Sequence, residues 1–187
     1  MVVLTRLSSW LSNLFNPLFS FLYYFVYSAF VSLSIVQASI FLGKFFLIFL
    51  VPILGYIYYN VRKGKFTNMD VSHQGQRRAL YYFVIGIALV YTIVSYLLSW
   101  ETPYFLYSLM ILLLVMMGIN FWIKVSMHTT FNCFIAALFY QLNPTIGIIW
   151  IVLTLVVAIS RLILKRHTLT EVFLGLVLGS LAAYSVL

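Results

Sequence analysis

Apolar runs long enough to cross a membrane follow one another along almost the whole chain, and no other feature restricts its folding so severely. A hydrocarbon layer roughly 30 Å thick takes about 20 helical residues to cross. Within lipid, only a helix or a closed barrel satisfies its own backbone polar groups. A barrel needs short segments of alternating polarity. The unbroken Leu, Ile, Phe and Val runs here lack that pattern, so the expected fold class is all-α: a polytopic transmembrane helical bundle of about six to seven spans. Of 187 residues, 64% are hydrophobic and only 7% charged, too little polar surface to clothe a soluble globule.

Polar punctuation places the spans at about Pro17–Ile40, Phe41–Asn60, Ala79–Ser99, Pro103–Ile123, His128–Asn143, Pro144–Leu162 and Thr168 to the C-terminus. Gly43 and Lys44 mark the first break, and Pro52 with Gly55 predicts a kink in the second span. The segment before Pro17 has one Arg and no small-residue cleavage site, which suits an interfacial lead-in. Trp100, Glu101 and Thr102 form a hinge, with Glu101 as a turn residue. Tyr and Trp residues such as Trp10, Tyr58, Tyr59 and Trp100 fall near span ends, as interfacial aromatics do. Cys133 lies inside an apolar segment and has no second cysteine to pair with.

The formal net charge of +8 comes from cations in short loops rather than a surface stripe. That distribution argues against nucleic acid and for anionic headgroups or phosphate. If the spans alternate in direction, the polar loop 61–78 and the junctions 124–128 and 160–168 emerge on one side. Ionisable groups beside membrane spans carry a desolvation cost, so they are read first as functional.

The last cluster runs Ser160-Arg161, five residues, His167, three residues, Glu171. Arg presents a fork of donors to phosphate oxygens, His is a nucleophile or acid/base near neutral pH, and a carboxylate one helical turn away can orient its ring. Thr168 and Glu171 also have the spacing of a capping box, a purely structural role. The middle cluster sets Lys124 and His128 four residues apart with Ser126 between them. His73, in the polar loop, reads as solvated. Gly175 and Gly179 suit close helix packing.

These residues resemble the type 2 phosphatidic acid phosphatase superfamily of integral membrane phosphatases. Its third motif, Ser-Arg-x5-His-x3-Asp, is met at 160–171 with Glu171 in place of Asp. Its second, Pro-Ser-Gly-His, keeps only Ser126 and His128, with Met127 in place of Gly. Its first, Lys-x6-Arg-Pro, keeps only Arg77, with Asp70 where the lysine belongs. The resemblance covers about residues 70 to 187. It implies one integral membrane domain over 1–187, with N-terminal spans in 1–60 and a phosphatase-like core in 61–187.

By the resemblance, His167 attacks phosphorus, Glu171 holds its ring, and His128 protonates the leaving oxygen. Arg77, Arg161, Ser160 and the Ser126 region bind the phosphoryl oxygens, and no metal or other cofactor is implied. Lys124 is a candidate for the missing cation. The expected substrate is a lipid phosphomonoester or diphosphate drawn from the bilayer. The competing class is a catalytically inactive relative that binds lipid or a partner protein. The oligomeric state is open. Arg6, Arg62, Lys63, Lys65, Arg78, Lys165 and Arg166 against Lys44 alone predict a cytoplasmic site in a cell-membrane protein.

Overall fold

The computed structural model describes residues 2–100 and 102–187, so Glu101 and its expected turn lie outside the described residues. Among those described, the regular structure is helical throughout. The elements are α1 (Val2–Leu14), α2 (Pro17–Ser32), α3 (Ile35–Phe45), a π-helical turn (Phe46–Leu50), α4 (Val51–Arg62), α5 (Gln74–Leu97), α6 (Tyr104–Ile119), α7 (Met127–Leu142), α8 (Pro144–Ile163) and α9 (Leu169–Tyr184). Three helices are long and apolar enough to cross a membrane, Ile35–Arg62, Gln74–Leu97 and Pro144–Ile163. Helices α1 and α2, bent by 52° at their break, would make a fourth if they form one broken span. Helices α6, α7 and α9 have 16 residues each, about 24 Å, which is shorter than a typical hydrocarbon core.

The first break falls at Leu33-Ser34 instead of the expected Ile40-Phe41. Ser34 caps α3 in a reciprocal box: its Oγ accepts the Gln37 N–H, and Gln37 Oε1 accepts the Ser34 N–H. Lys44 therefore sits within a continuous helix, where the Trp100 ring 3.8 Å from its ammonium offsets its charge. The expected kink near Pro52 is absorbed just upstream. There the Val51 N–H reaches back five residues to the Phe46 carbonyl, and the helix runs on from Ile35 to Arg62.

Contacts divide the chain into two compact units. One takes the chain up to Val31 together with Ile123–Leu187, and so draws on both sides of residue 60; the other is Ser32–Trp122. Within the second unit, Tyr56 stacks on Phe83 with ring centroids 4.0 Å apart, and Gln74 and Asn120 exchange side-chain-to-carbonyl hydrogen bonds of 2.7 and 3.0 Å.

The first unit is built on α7. Its Asn132 is buried and uses its whole amide: Oδ1 accepts from Ser20 Oγ at 2.8 Å and Trp150 Nε1 at 3.2 Å. Its Nδ2 donates to the carbonyls of Phe15 at 2.9 Å and His128 at 2.8 Å. One side chain thus joins the α1–α2 corner, α2, α7 and α8. Trp150 closes the surrounding aromatic core, 4.5 Å from the Phe139 centroid and 5.6 Å from Phe15.

Glycines set how closely α8 and α9 approach α7. A methyl on Gly147 would lie 2.5 Å from Tyr140 Cα, and one on Gly179 would lie 2.6 Å from both the Thr130 carbonyl and Cys133 Cβ. The Gly175 and Gly179 pair therefore serves packing within the chain. Gly147→Ala and Gly179→Ala should each lower stability by about 1–3 kcal/mol. Gly86→Ala, where an added methyl meets nothing, should be neutral or stabilising by up to about 1 kcal/mol. Asn132→Leu should lose about 2 kcal/mol, near 0.6 for each of its membrane-protein hydrogen bonds. Thermal unfolding of the purified protein in one neutral detergent reads all four variants.

Candidate active site

Three helix ends of the first unit carry the sequence-predicted residues other than Arg77. Helix α8 ends on Arg161 in its last turn and stops where Lys165 takes a left-handed conformation, φ 52. The Lys165 N–H bonds the Leu162 carbonyl, and the Arg166 N–H returns to the Arg161 carbonyl at 3.1 Å. The chain then enters α9 through Thr168, with His167 immediately before the cap. Helix α7 starts at Met127, so His128 occupies its first turn.

Glu171 joins these ends. Its Oε2 accepts the Thr168 N–H at 3.2 Å, while Thr168 Oγ1 accepts the Glu171 N–H at 3.3 Å, which completes the capping box. The same Oε2 lies 2.7 Å from His167 Nδ1. An ionised carboxylate accepts hydrogen bonds, so Nδ1 is placed to donate to Oε2, and in the neutral ring with that tautomer the lone pair lies on Nε2. One oxygen thus makes both the cap bond and the contact to the His167 ring.

The α7 end is tied to the same residue through its backbone. The Ser126 N–H donates to the Glu171 carbonyl at 3.1 Å, and Lys124 Nζ donates to the Arg166 carbonyl at 2.9 Å. Lys124 Nζ also stands 4.0 Å from Glu171 Oε2. The sequence clusters 124–128 and 160–171 thus meet. Lys124 comes to the carboxylate and the turn, so its attachments are those of a clamp on Glu171.

His128, Ser126, Ser160, Arg161 and His167 are all buried. Arg161 Nη1 donates to Ser12 Oγ of α1 at 2.7 Å. Buried guanidinium groups demand such partners, because an unsatisfied ion away from water is strongly destabilising. Ser160 Oγ donates to the Val156 carbonyl one turn back at 2.9 Å, so its proton points into its own helix. Ser126 Oγ shares a 3.0 Å hydrogen bond with Thr129 Oγ1. Met127 is half-buried.

Arg77 belongs to the second unit, where it is buried in the first turn of α5 and its Nε donates to the Val71 carbonyl at 3.0 Å. Val71 has φ 45, a conformation that β-branched residues rarely adopt. His73 precedes α5 as an exposed N-cap residue. Among the described residues, no group of three His, Cys, Asp or Glu side chains is placed to hold a metal ion.

Ser12 and Asn132 escaped the sequence reading. Ser8 and Ser12 are one turn apart and both buried, while Leu4, Leu7, Trp10 and Leu14 on α1 are exposed. That serine spacing was available as a signal. So was Asn132, an amide isolated in an apolar span.

Comparison with known proteins finds no matching family, no matching curated protein and no matching solved structure.

Thr168→Ala removes a cap and should lower stability by about 1 kcal/mol. Lys124→Met removes a part-exposed ion pair and should change it by less than about 1 kcal/mol. Thermal unfolding of both variants beside the wild type tests this ordering.

Proposed function

We propose that the protein is a membrane lipid phosphatase acting through a phosphohistidine on His167, as its resemblance to the type 2 phosphatidic acid phosphatases implies. The observation that carries the reading is the 2.7 Å contact between His167 Nδ1 and Glu171 Oε2, in the same unit as the buried Arg161 and tied to the His128 helix by the Ser126–Glu171 backbone bond.

In this reading His167 Nε2 attacks phosphorus as the bond to the leaving oxygen breaks, and Glu171 stabilises the developing imidazolium. His128 gives its proton to that oxygen. It then takes a proton from water, which attacks phosphorus and breaks the P–N bond to release phosphate. Arg161 turns its fork from Ser12 toward the phosphoryl oxygens, supplying the positioning and charge neutralisation that phosphoryl transfer chiefly needs. Lys124, attached to Glu171 and the Arg166 carbonyl, keeps the carboxylate in place.

The substrate class is a phosphomonoester or diphosphate on a lipid, whose tail stays in the bilayer while its headgroup meets the cations. About six to seven crossings, with the shorter helices spanning a locally thinned bilayer, would put both clusters on one face. The excess of cations there assigns that face to the cytoplasm of a cell membrane.

A second reading is a lipid-phosphate-binding protein without turnover. It is favoured by the Met127 side chain where the family has none, and by the Arg161 and Lys124 contacts to Ser12, Arg166 and Glu171. The two readings separate in an assay of phosphate release from phosphatidate, phosphatidylglycerol phosphate and a polyprenyl diphosphate. The phosphatase reading expects release by the wild type, none by His167→Ala, and a loss of about 100-fold or more in Glu171→Gln. Absence of release with every lipid, or equal release by His167→Ala, sinks it.

A further inference from the structure

We propose that the C-terminal end of α4 is a separate docking site for the headgroup of an anionic bilayer phospholipid, built from Tyr58, Tyr59, Arg62 and Lys63. These four residues line an open cavity of about 590 Å³. All of them belong to the second unit, whereas His167 and Glu171 belong to the first.

The cations are held ready. Arg62 Nε donates to Tyr58 Oη at 2.9 Å, and the guanidinium carbon lies 5.4 Å from the Tyr58 ring centroid. Lys63 Nζ lies 5.9 Å from the Tyr59 ring. Neither cation is paired with a carboxylate in the described ion pairs. The turn that presents them is anchored: Gly64 takes φ 69, the Lys65 and Phe66 N–H groups both reach the Asn60 carbonyl, and the Phe66 ring is buried against Tyr56 at 5.9 Å. The negative end of the helix dipole favours the two cations and disfavours an anion on the helix axis. A phosphate is thereby directed outward onto the side-chain heads.

The helix surface leading to the cavity identifies the ligand as a lipid. Leu47, Val51, Gly55, Tyr58 and Arg62 are exposed at helical spacing, an apolar stripe that ends in a cation. A side chain added at Gly55 would meet nothing, so the stripe is flat there and leaves room for an acyl chain. This stripe lies on the 28-residue helix that is long and apolar enough to cross a membrane. Tyrosines at such a helix end sit at headgroup level, with the basic residues just beyond. A free phosphate would make no use of the stripe or the rings.

The test uses the full chain in neutral detergent micelles with added phosphatidylglycerol, phosphatidylcholine or inorganic phosphate, with bound lipid counted by native mass spectrometry. Arg62→Gln with Lys63→Gln should weaken phosphatidylglycerol retention by roughly 30-fold, about fivefold per cation. Gly55→Leu, which keeps both charges and fills the flat part of the stripe, should also lower it. Both variants change exposed positions and should match the wild type in helicity and thermal unfolding. Wild-type retention of phosphatidylcholine should be far weaker. Unchanged phosphatidylglycerol retention in the double variant, equal retention of phosphatidylcholine, or displacement of the lipid by millimolar inorganic phosphate overturns the proposal. Lipid held at the His167 site is common to all these variants and does not enter the difference.

Discussion

A buried amide in an apolar bundle has to find all its partners within the protein, and Asn132 is where this chain meets that demand. Its four hydrogen bonds reach the α1–α2 corner, α2, α7 itself and α8, so α7 cannot shift without stranding polar atoms on its neighbours. Each such bond stabilises a membrane protein only modestly, but leaving its partner unsatisfied in a low-dielectric interior is costly. The network therefore acts mainly on geometry. One of the bonds lands on the His128 carbonyl and so holds the first turn of α7, from which that imidazole projects.

The other end of the same unit is organised by Glu171. Its side-chain oxygen caps α9 and orients His167, and its backbone carbonyl takes the Ser126 N–H that begins α7. Shared use of this kind constrains the carboxylate, because Glu171 cannot turn away from His167 without also uncapping the helix start. Close approach of the helices makes the arrangement possible. Glycine at 179 lets α9 lie against the Thr130–Cys133 face of α7, and a methyl at 175 would crowd the Ser126 carbonyl and Thr130 Oγ1 at 3.1 Å.

Much of the fold was legible because helix starts and stops have local chemical signatures. Asn143-Pro144 divides α7 from α8, with Asn143 Oδ1 accepting the N–H groups of Thr145 and Ile146, and Thr168-x-x-Glu171 starts α9. The break at Ser34 carried the same kind of signature, a Ser followed three residues later by Gln. Gly43-Lys44 is the stronger punctuation in the sequence, yet it lies inside the helix. Lys44, mid-helix, has the Trp100 ring, distant in sequence, lying over it, a contact no local pattern reveals.

The sequence by itself determined the all-helical class, most helix boundaries, and the spacing that puts His167 and Glu171 one turn apart, since these follow from hydropathy and from contacts within four residues. Only the tertiary structure decided that Arg161 rests on Ser12, that Lys124 clamps Glu171, that Ser160 turns into its own helix, and that Arg77 is held by a strained Val71. The reason is physical. Which donor meets which acceptor across a packed interior depends on how closely helices approach and how they are rotated, and those are set by small side chains and buried amides on several segments at once.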